Sequence, residues 1–446
     1  MRVPLLDLHE QLKPLRDDIL AGITEVLDST GYIMGPKVEA LEVEVASYCQ
    51  AKHGIGVTSG TDALLAVLMA LGVGPGDLVL TTPYTFVATI GCILRLGARP
   101  LFADIDPVTF NIDPVKMAEV LAHPDHAGKI KAILPVHLFG QCADMASIMA
   151  LAEQYGLPVV EDAAQAIGAV YPWRFSSTPA GVGQGLSSAP LKGVLGKIPA
   201  DVGQGQVQDL TWRRAGSMGV AGCFSFFPSK NLGGIGDGGL ITVMDSQLAA
   251  RIRIIRVHGG EPKYHHAVLG GNFRLDPIQA VALSVKLPHL PAWHQARRRN
   301  ADLYQKLFVE AGLVGDLAVQ YPSRGYRAES PARGAVVSLP KAVYRELAQP
   351  AGGEIDYHIY NQYVIRVRDR DALRAYLQEK GIGSEIYYPI PMHKQGCVAH
   401  LGFNELSFPE AERAAAETLA LPIYPELTPE MQGMVVEAIA DFFKGR

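Results

Sequence analysis

The sequence predicts an α/β protein, with a mostly parallel sheet covered by helices on both faces and a smaller unit after it. Three observations predict this. Strand and helix signals alternate up to about residue 255. The strand-like runs are apolar enough to be buried on both faces. Beyond that point the composition changes, and an arginine-rich helix from Ala292 leads into the smaller unit.

Taken in order, VEALEVEVASY (38–48) puts Val38, Leu41, Val45 and Tyr48 on one helical face. GIGVTSGTDALLAVLMALG reads as a short strand, a turn and an apolar helix from about Thr61. DLVLTTP (77–83) and KAILPVHLFG (131–140) read as buried strands, and DMASIMALAEQYG (144–156) as a helix stopped by glycine. LPVVEDAAQ (157–165) is a strand ending in acids, and GLITV (239–243) is another strand. Ligands of such sheets sit beyond the carboxyl ends of the strands, where Thr61 and Asp162 fall. The Gly/Ser/Pro-rich stretch at about 172–213 reads as a long surface insertion. Helices are expected at 276–287, from Ala292, at 371–381 and at 429–443, a strand at 360–367 and a mobile loop at 323–336. The expected division is a large unit, 1–255, and a small one, 256–446.

Composition narrows the function. With 446 residues, 48% of them apolar, the chain can bury a sizeable core. A net charge of −5 provides no basic face for nucleic acid. The N-terminus carries acids and no signal-like apolar run, and no apolar stretch approaches the ~20 residues needed to cross a bilayer. Five scattered cysteines without a C-x-x-C pair suit a reducing cytoplasm rather than a disulfide framework. The histidines, including His258, His265 and His266, lack metal-ligand spacing, so no metal is expected.

Residues 225–239 read SFFPSKNLGGIGDGG. The segment 234–239 fits G-x-G-x-x-G, but a strand follows it where a dinucleotide site needs a helix. Lys230 is the notable residue. It lies between the phenylalanines 226 and 227, expected to exclude water, and a glycine-rich run. A desolvated lysine favours its neutral amine, a nucleophile toward carbonyls. Asp162, at a strand end, can hold a pyridine nitrogen protonated. Gly60 and Thr61 open a helix whose free amides bind phosphate, and Phe86 offers a flat face for a ring. Together they describe a site for pyridoxal phosphate. Spacing alone leaves plainer readings open: a snorkelling lysine, an aspartate that caps a helix, a phenylalanine in the core and a threonine that is only an N-cap.

GYIMGPKVEALE, TSGTDALLAVLMALGVGPGD, PYTFVATIGCILRLGARPLFADID, EDAAQAIGA, FSFFPSKNLGGIGDGG, GGNFRLDPIQAVAL, EIYYPIPMHKQ and LALPIYPEL occur in this order. This pattern resembles the DegT/DnrJ/EryC1/StrS family of pyridoxal-phosphate-dependent nucleotide-sugar aminotransferases. The resemblance implies the fold-type-I, aspartate aminotransferase-like architecture, with a smaller C-terminal α+β domain. It implies that Lys230 carries the cofactor, Asp162 pairs with its ring nitrogen, Gln165 with its phenolic oxygen, and Phe86 stacks on the ring. Ser225, Gly60 and Thr61 would hold the phosphate. Asn272, in an inter-subunit segment 258–276, would reach the neighbouring subunit's cofactor, making a homodimer. Tyr388 and His393 would contact the substrate. The implied reaction moves an amino group, with glutamate as donor, to a keto group of a nucleotide-linked sugar. Gln165 leans toward C3 rather than C4. The sequence departs from the family where the insertion separates Tyr171 from Ala215–Gly219. The alternatives are a dehydratase of the same fold, in which histidine replaces the lysine, a non-catalytic regulatory member, and a cofactor-free lysine aldolase.

Overall fold

A computed structural model describes residues 2–174, 210–314, 336–348 and 355–444. Among these residues, seven strands make the main sheet. Strands β1 (His53–Val57), β9 (Gly239–Val243), β8 (Ala221–Ser225) and β5 (Val160–Asp162) pair in that spatial order. Strands β3 (Arg99–Phe102), β2 (Leu78–Thr81) and β4 (Ile130–Ile133) form a second, parallel ladder. Parallel bridges from Ile133 to Val159 and from Val136 to Asp162 join the two ladders. Only β9 runs against the rest, paired antiparallel with both β1 and β8. All five residues of β9 are buried, as its apolar run requires for a central strand.

Two details differ from the sequence expectation. The strand expected over 131–140 stops at Ile133, because Pro135 has no N–H to continue a ladder. Its carbonyl instead accepts from Asp162 N at 2.9 Å. The strand Arg99–Phe102 was not expected at all. It contains Pro100 and lies at the sheet's edge, where a missing donor is tolerated.

Helices cover both faces. One side packs α4 (Gly60–Ala70), α5 (Val87–Arg95) and α8 (Ser246–Arg256) on Ile55, Cys223 and Ile241. The other packs α3 (Pro36–Tyr48), α7 (Met145–Tyr155) and α9 (Pro277–Lys286) around Phe224, Phe226 and Leu240. Local signals set the ends of these helices. Ser59 caps α4 by accepting from Asp62 N at 3.1 Å, and Asp144 caps α7. Gly156 ends α7 at φ 63°, a left-handed conformation that glycine adopts without strain. Buried Glu42 of α3 pairs with Arg256 of α8 and accepts from Gly56 N at 2.8 Å. Removing one partner of this pair would cost about 3–5 kcal/mol.

Helix α10 (Leu290–Glu310) passes from the first core, through Leu290, into a second one, through Tyr304 and Phe308. There β10 (Val337–Ser338), β11 (Tyr363–Val367) and β12 (Thr418–Leu421) form an antiparallel sheet against the helices Arg370–Glu379 and Pro429–Lys444. Val3 joins this core through a parallel bridge to Ile382. The expected loop at 323–336 lies outside the described residues except for buried Val336.

The two ends of the stretch expected as an insertion form regular structure. Strands β6 (Val170–Arg174) and β7 (Leu210–Arg214) pair as an antiparallel hairpin. Arg214 lies 4.0 Å over the Tyr48 ring, and Gln50 accepts from Arg214 N. The rest of the insertion, 175–209, lies outside the described residues.

Candidate active site

The acids that end β5 show how the fold assigns roles. Alternation along a strand sends neighbouring side chains to opposite faces. Glu161 faces the α7 side, fully buried, where it accepts from the amides of Gly216, Met218 and Gly219 and pairs with His137 Nε2 at 2.9 Å. It anchors the loop by which the chain returns from the insertion hairpin. Asp162 faces the α5 side and lines a cavity of about 410 Å³ at the carboxyl ends of the strands. Burial pushes its carboxyl above the usual range, opposed first by Thr89, whose Oγ1 donates to Oδ2 at 2.9 Å.

Lys230 lines the same cavity. Desolvation lowers its amine to about 8, against the pull of Asp162. The expectation that both flanking phenylalanines exclude water is only half right. Phe226 is buried in the core, whereas Phe227 is 52% exposed at the cavity wall. The desolvation comes from the rest of the enclosure. Behind the lysine, Asn231 donates to Ile359 O at 3.1 Å and accepts from Asn361 Nδ2 at 2.7 Å. Gln279 accepts from Ile235 N, and Lys286 Nζ donates to Gly233 O at 2.7 Å. The 234–239 segment thus runs from a pinned loop straight into β9, with no helix behind it for a dinucleotide.

The N-terminus of α4 lies against the end of β8. A Cβ on Gly60 would sit 2.8 Å from Ser225 Cβ, so only glycine permits this approach. The Gly60 and Thr61 amides belong to the first turn, which has no intrahelical acceptors for them. They face the cavity with Ser225, a donor set suited to an anion. Phe86, 58% exposed, is the residue before α5 and forms part of the wall. Gln165 Oε1 accepts from Phe139 N at 2.7 Å, and its Nε2 donates to Tyr388 Oη at 2.8 Å. The Tyr388 ring packs edge-on to Tyr84 and face to face with Phe139.

Gly60, Thr61, Phe86, Asp162, Gln165, Ser225, Lys230 and Tyr388 therefore converge on one cavity. Two of the named residues lie outside this cavity, one of them, Asn272, expected at the neighbouring subunit's cofactor instead. His393 is buried elsewhere, held by Glu412 at 3.1 Å and by the edge of Phe408, because the turn Met392–Lys394 directs it away. Asn272 is exposed on the segment that bridges to Val257 and does not line this chain's cavity. Sequence reasoning missed Ser59, Thr85, Ser229, Gln362 and Tyr387 in the wall. Ser59 was detectable as the helix cap of S-G-T-D. Gln362 had no local signal, whereas Tyr387 stands beside Tyr388 in the stretch EIYYPIPMHKQ.

A family model described as the DegT/DnrJ/EryC1/StrS aminotransferase family matches residues 14–330 and 337–440. The chain belongs to this family. A Geobacillus stearothermophilus protein named "Pleiotropic regulatory protein" is 45% identical over 446 residues, covering 100% of this chain and 99% of its own. The UDP-N-acetyl-3-dehydro-alpha-D-glucosamine 3-aminotransferase of Acidithiobacillus ferrooxidans is 39% identical over 437 residues, covering 98% and 97%. The crystal structure of S. venezuelae DesV in complex with a ketimine intermediate superposes with TM-score 0.78 at 33% identity, covering 99% and 98%. As a DegT/DnrJ/EryC1/StrS protein, the chain is a pyridoxal-phosphate-dependent sugar aminotransferase of fold type I. Its cavity fits that cofactor: an amine lowered to about 8, a buried carboxylate, and a helix N-terminus that meets serine over glycine. Among the described residues no helix is long and apolar enough to cross a membrane.

Proposed function

We propose that this protein moves an amino group from an amino acid, glutamate, to the C3 keto group of a nucleotide-linked sugar. The product would serve amino-sugar or cell-surface polysaccharide biosynthesis in the cytoplasm. The observation that carries this reading is the meeting of Lys230, Asp162 and the α4 N-terminus on one cavity. The 3-aminotransferase name of the Acidithiobacillus relative supports C3.

Pyridoxal phosphate, when bound, supplies an exchangeable aldehyde and an electron-accepting ring. Lys230 Nζ would hold the cofactor and, once freed by the donor's amine, would take the proton from the donor's α-carbon and later deliver one to the sugar carbon. Asp162 holds a proton on the ring nitrogen. Gly60, Thr61 and Ser225 would hold the phosphate, Phe86 would face the ring, and Gln165 would hydrogen-bond the phenolic oxygen. Tyr388, linked to Gln165, borders the space left for substrate.

We take the working unit to be a homodimer in which Asn272 reaches the partner's cofactor. The exposure of Asn272, and of Tyr264 (80%) and Leu269 (89%) nearby, supports this. One observation favours a second reading, a regulatory protein: the name of the Geobacillus relative. The test is to load the protein with pyridoxamine phosphate, challenge it with a panel of nucleotide keto-sugars, and follow the aldehyde absorbance. A 3-keto sugar is expected to restore it. Protein that binds the cofactor yet responds to no keto-sugar and no amino acid would sink the enzymatic reading.

A further inference from the structure

Asp162 is supported from behind by a short chain of hydroxyls. Thr85 Oγ1 lies 2.9 Å from Thr89 Oγ1, which donates to Asp162 Oδ2 at 2.9 Å. All three residues are buried. An ionised carboxylate can only accept, so the single proton of Thr89 goes to Asp162 and its oxygen accepts from Thr85. The Ala164 amide donates to the other oxygen, Oδ1, at 3.3 Å. Among the described residues these are the two hydrogen bonds to the Asp162 side chain. Thr85 and Asp162 line the cavity, whereas Thr89 does not.

The direction of donation matters chemically. A buried carboxylate tends to take up a proton, and a neutral acid could not hold a positive ring nitrogen opposite it. A hydroxyl donor favours the ionised form and limits rotation of the carboxylate plane. Lys230 and His137 also favour the charged form of Asp162, and the Asp162 charge in turn holds the Cys92 thiol of α5, the Cys223 thiol of β8 and the Tyr388 hydroxyl in their neutral forms.

We propose that Thr89 is a positioning residue for the transamination: its hydroxyl, oriented by Thr85, keeps the Asp162 carboxylate ionised and fixed at the cavity wall. The proposal rests on the reading of Asp162 as partner of the cofactor's ring nitrogen.

The test compares full-length wild type with Thr89→Val, Thr89→Ser, Thr85→Val and Asp162→Asn, each reconstituted with pyridoxal phosphate. Three quantities are read: the pH dependence of the bound cofactor's visible absorbance, affinity for pyridoxamine phosphate, and kcat and KM for the amino donor. Thr89→Val is nearly isosteric. It is expected to move the absorbance midpoint and to lower kcat about tenfold or more, with KM within about twofold. Thr89→Ser should restore both, and Thr85→Val should shift the midpoint in the same direction by less. An unchanged spectrum and kcat in Thr89→Val, with Asp162→Asn impaired, would overturn the proposal alone. So would Thr89→Ser as impaired as Thr89→Val, since packing rather than the hydroxyl would then matter. If Thr89→Val does not fold, an unchanged spectrum in Thr85→Val overturns the relay. If Asp162→Asn itself behaves as wild type, the reading of Asp162 fails and Thr89 falls with it.

Discussion

Two lysines lie at the loop that leads into β9, one on its cavity side and one behind it. Burial lowers the pKa of both Lys230 and Lys286. Lys286 spends its amine on the Gly233 carbonyl, 2.7 Å away. Lys230 makes no such bond among the described residues, and its amine opens on the cavity opposite Asp162. Desolvation alone therefore does not mark a reactive lysine. A buried amine with an acceptor holds structure together, whereas Lys230, without one among the described residues, suits the chemistry proposed for it.

The sharpest way to break this contrast is to remove each amine in turn. Lys230→Ala should lower turnover by about 10³-fold or more and abolish the borohydride-reducible bond to the cofactor. Retained turnover would show that the two lysines do not differ as described. The pH dependence sharpens the contrast next. Only the neutral amine attacks an aldehyde, so the apo-protein should take up pyridoxal phosphate about tenfold more slowly for each pH unit below about 8. The rate should level off above that value. Stopped-flow absorbance reads this, and a midpoint near the ordinary lysine value of about 10.4 would contradict it.

Lys286→Met should keep the reducible bond but leave the Gly233 carbonyl unpaired. That would cost about 1–3 kcal/mol in denaturant unfolding. Loss of the reducible bond at full stability would reverse the assignment of the two sites. The smallest effect concerns Asp162, among the described residues the one charge that raises the Lys230 pKa. Asp162→Asn should move the midpoint of cofactor uptake to lower pH, and an upward shift would mean the two residues do not interact across the cavity.

Much of this site was legible because its pieces carry local signals. A glycine-rich loop around one lysine, a strand ending in acids and a capped apolar helix can each be read within about ten residues. Edge strand Arg99–Phe102 was hidden by its proline, and the hairpin flanking 175–209 by the composition of the insertion. His393 lies outside the cavity wall. The motif around it placed it near substrate, but a turn of three residues sends it to Glu412 and Phe408.

The sequence by itself indicated most of the strands and helices, caps that end them, and the lysine and aspartate proposed to carry the chemistry. Those follow from short-range periodicity, capping and the residue types a reaction demands. Only the tertiary structure decided that Glu161 turns to the returning loop while Asp162 turns to the cavity. The same holds for Thr89 standing behind Asp162, and for Tyr388 meeting Gln165 across 223 positions of chain. Such pairings depend on which faces of distant elements pack together, and no local stretch of chain contains that information.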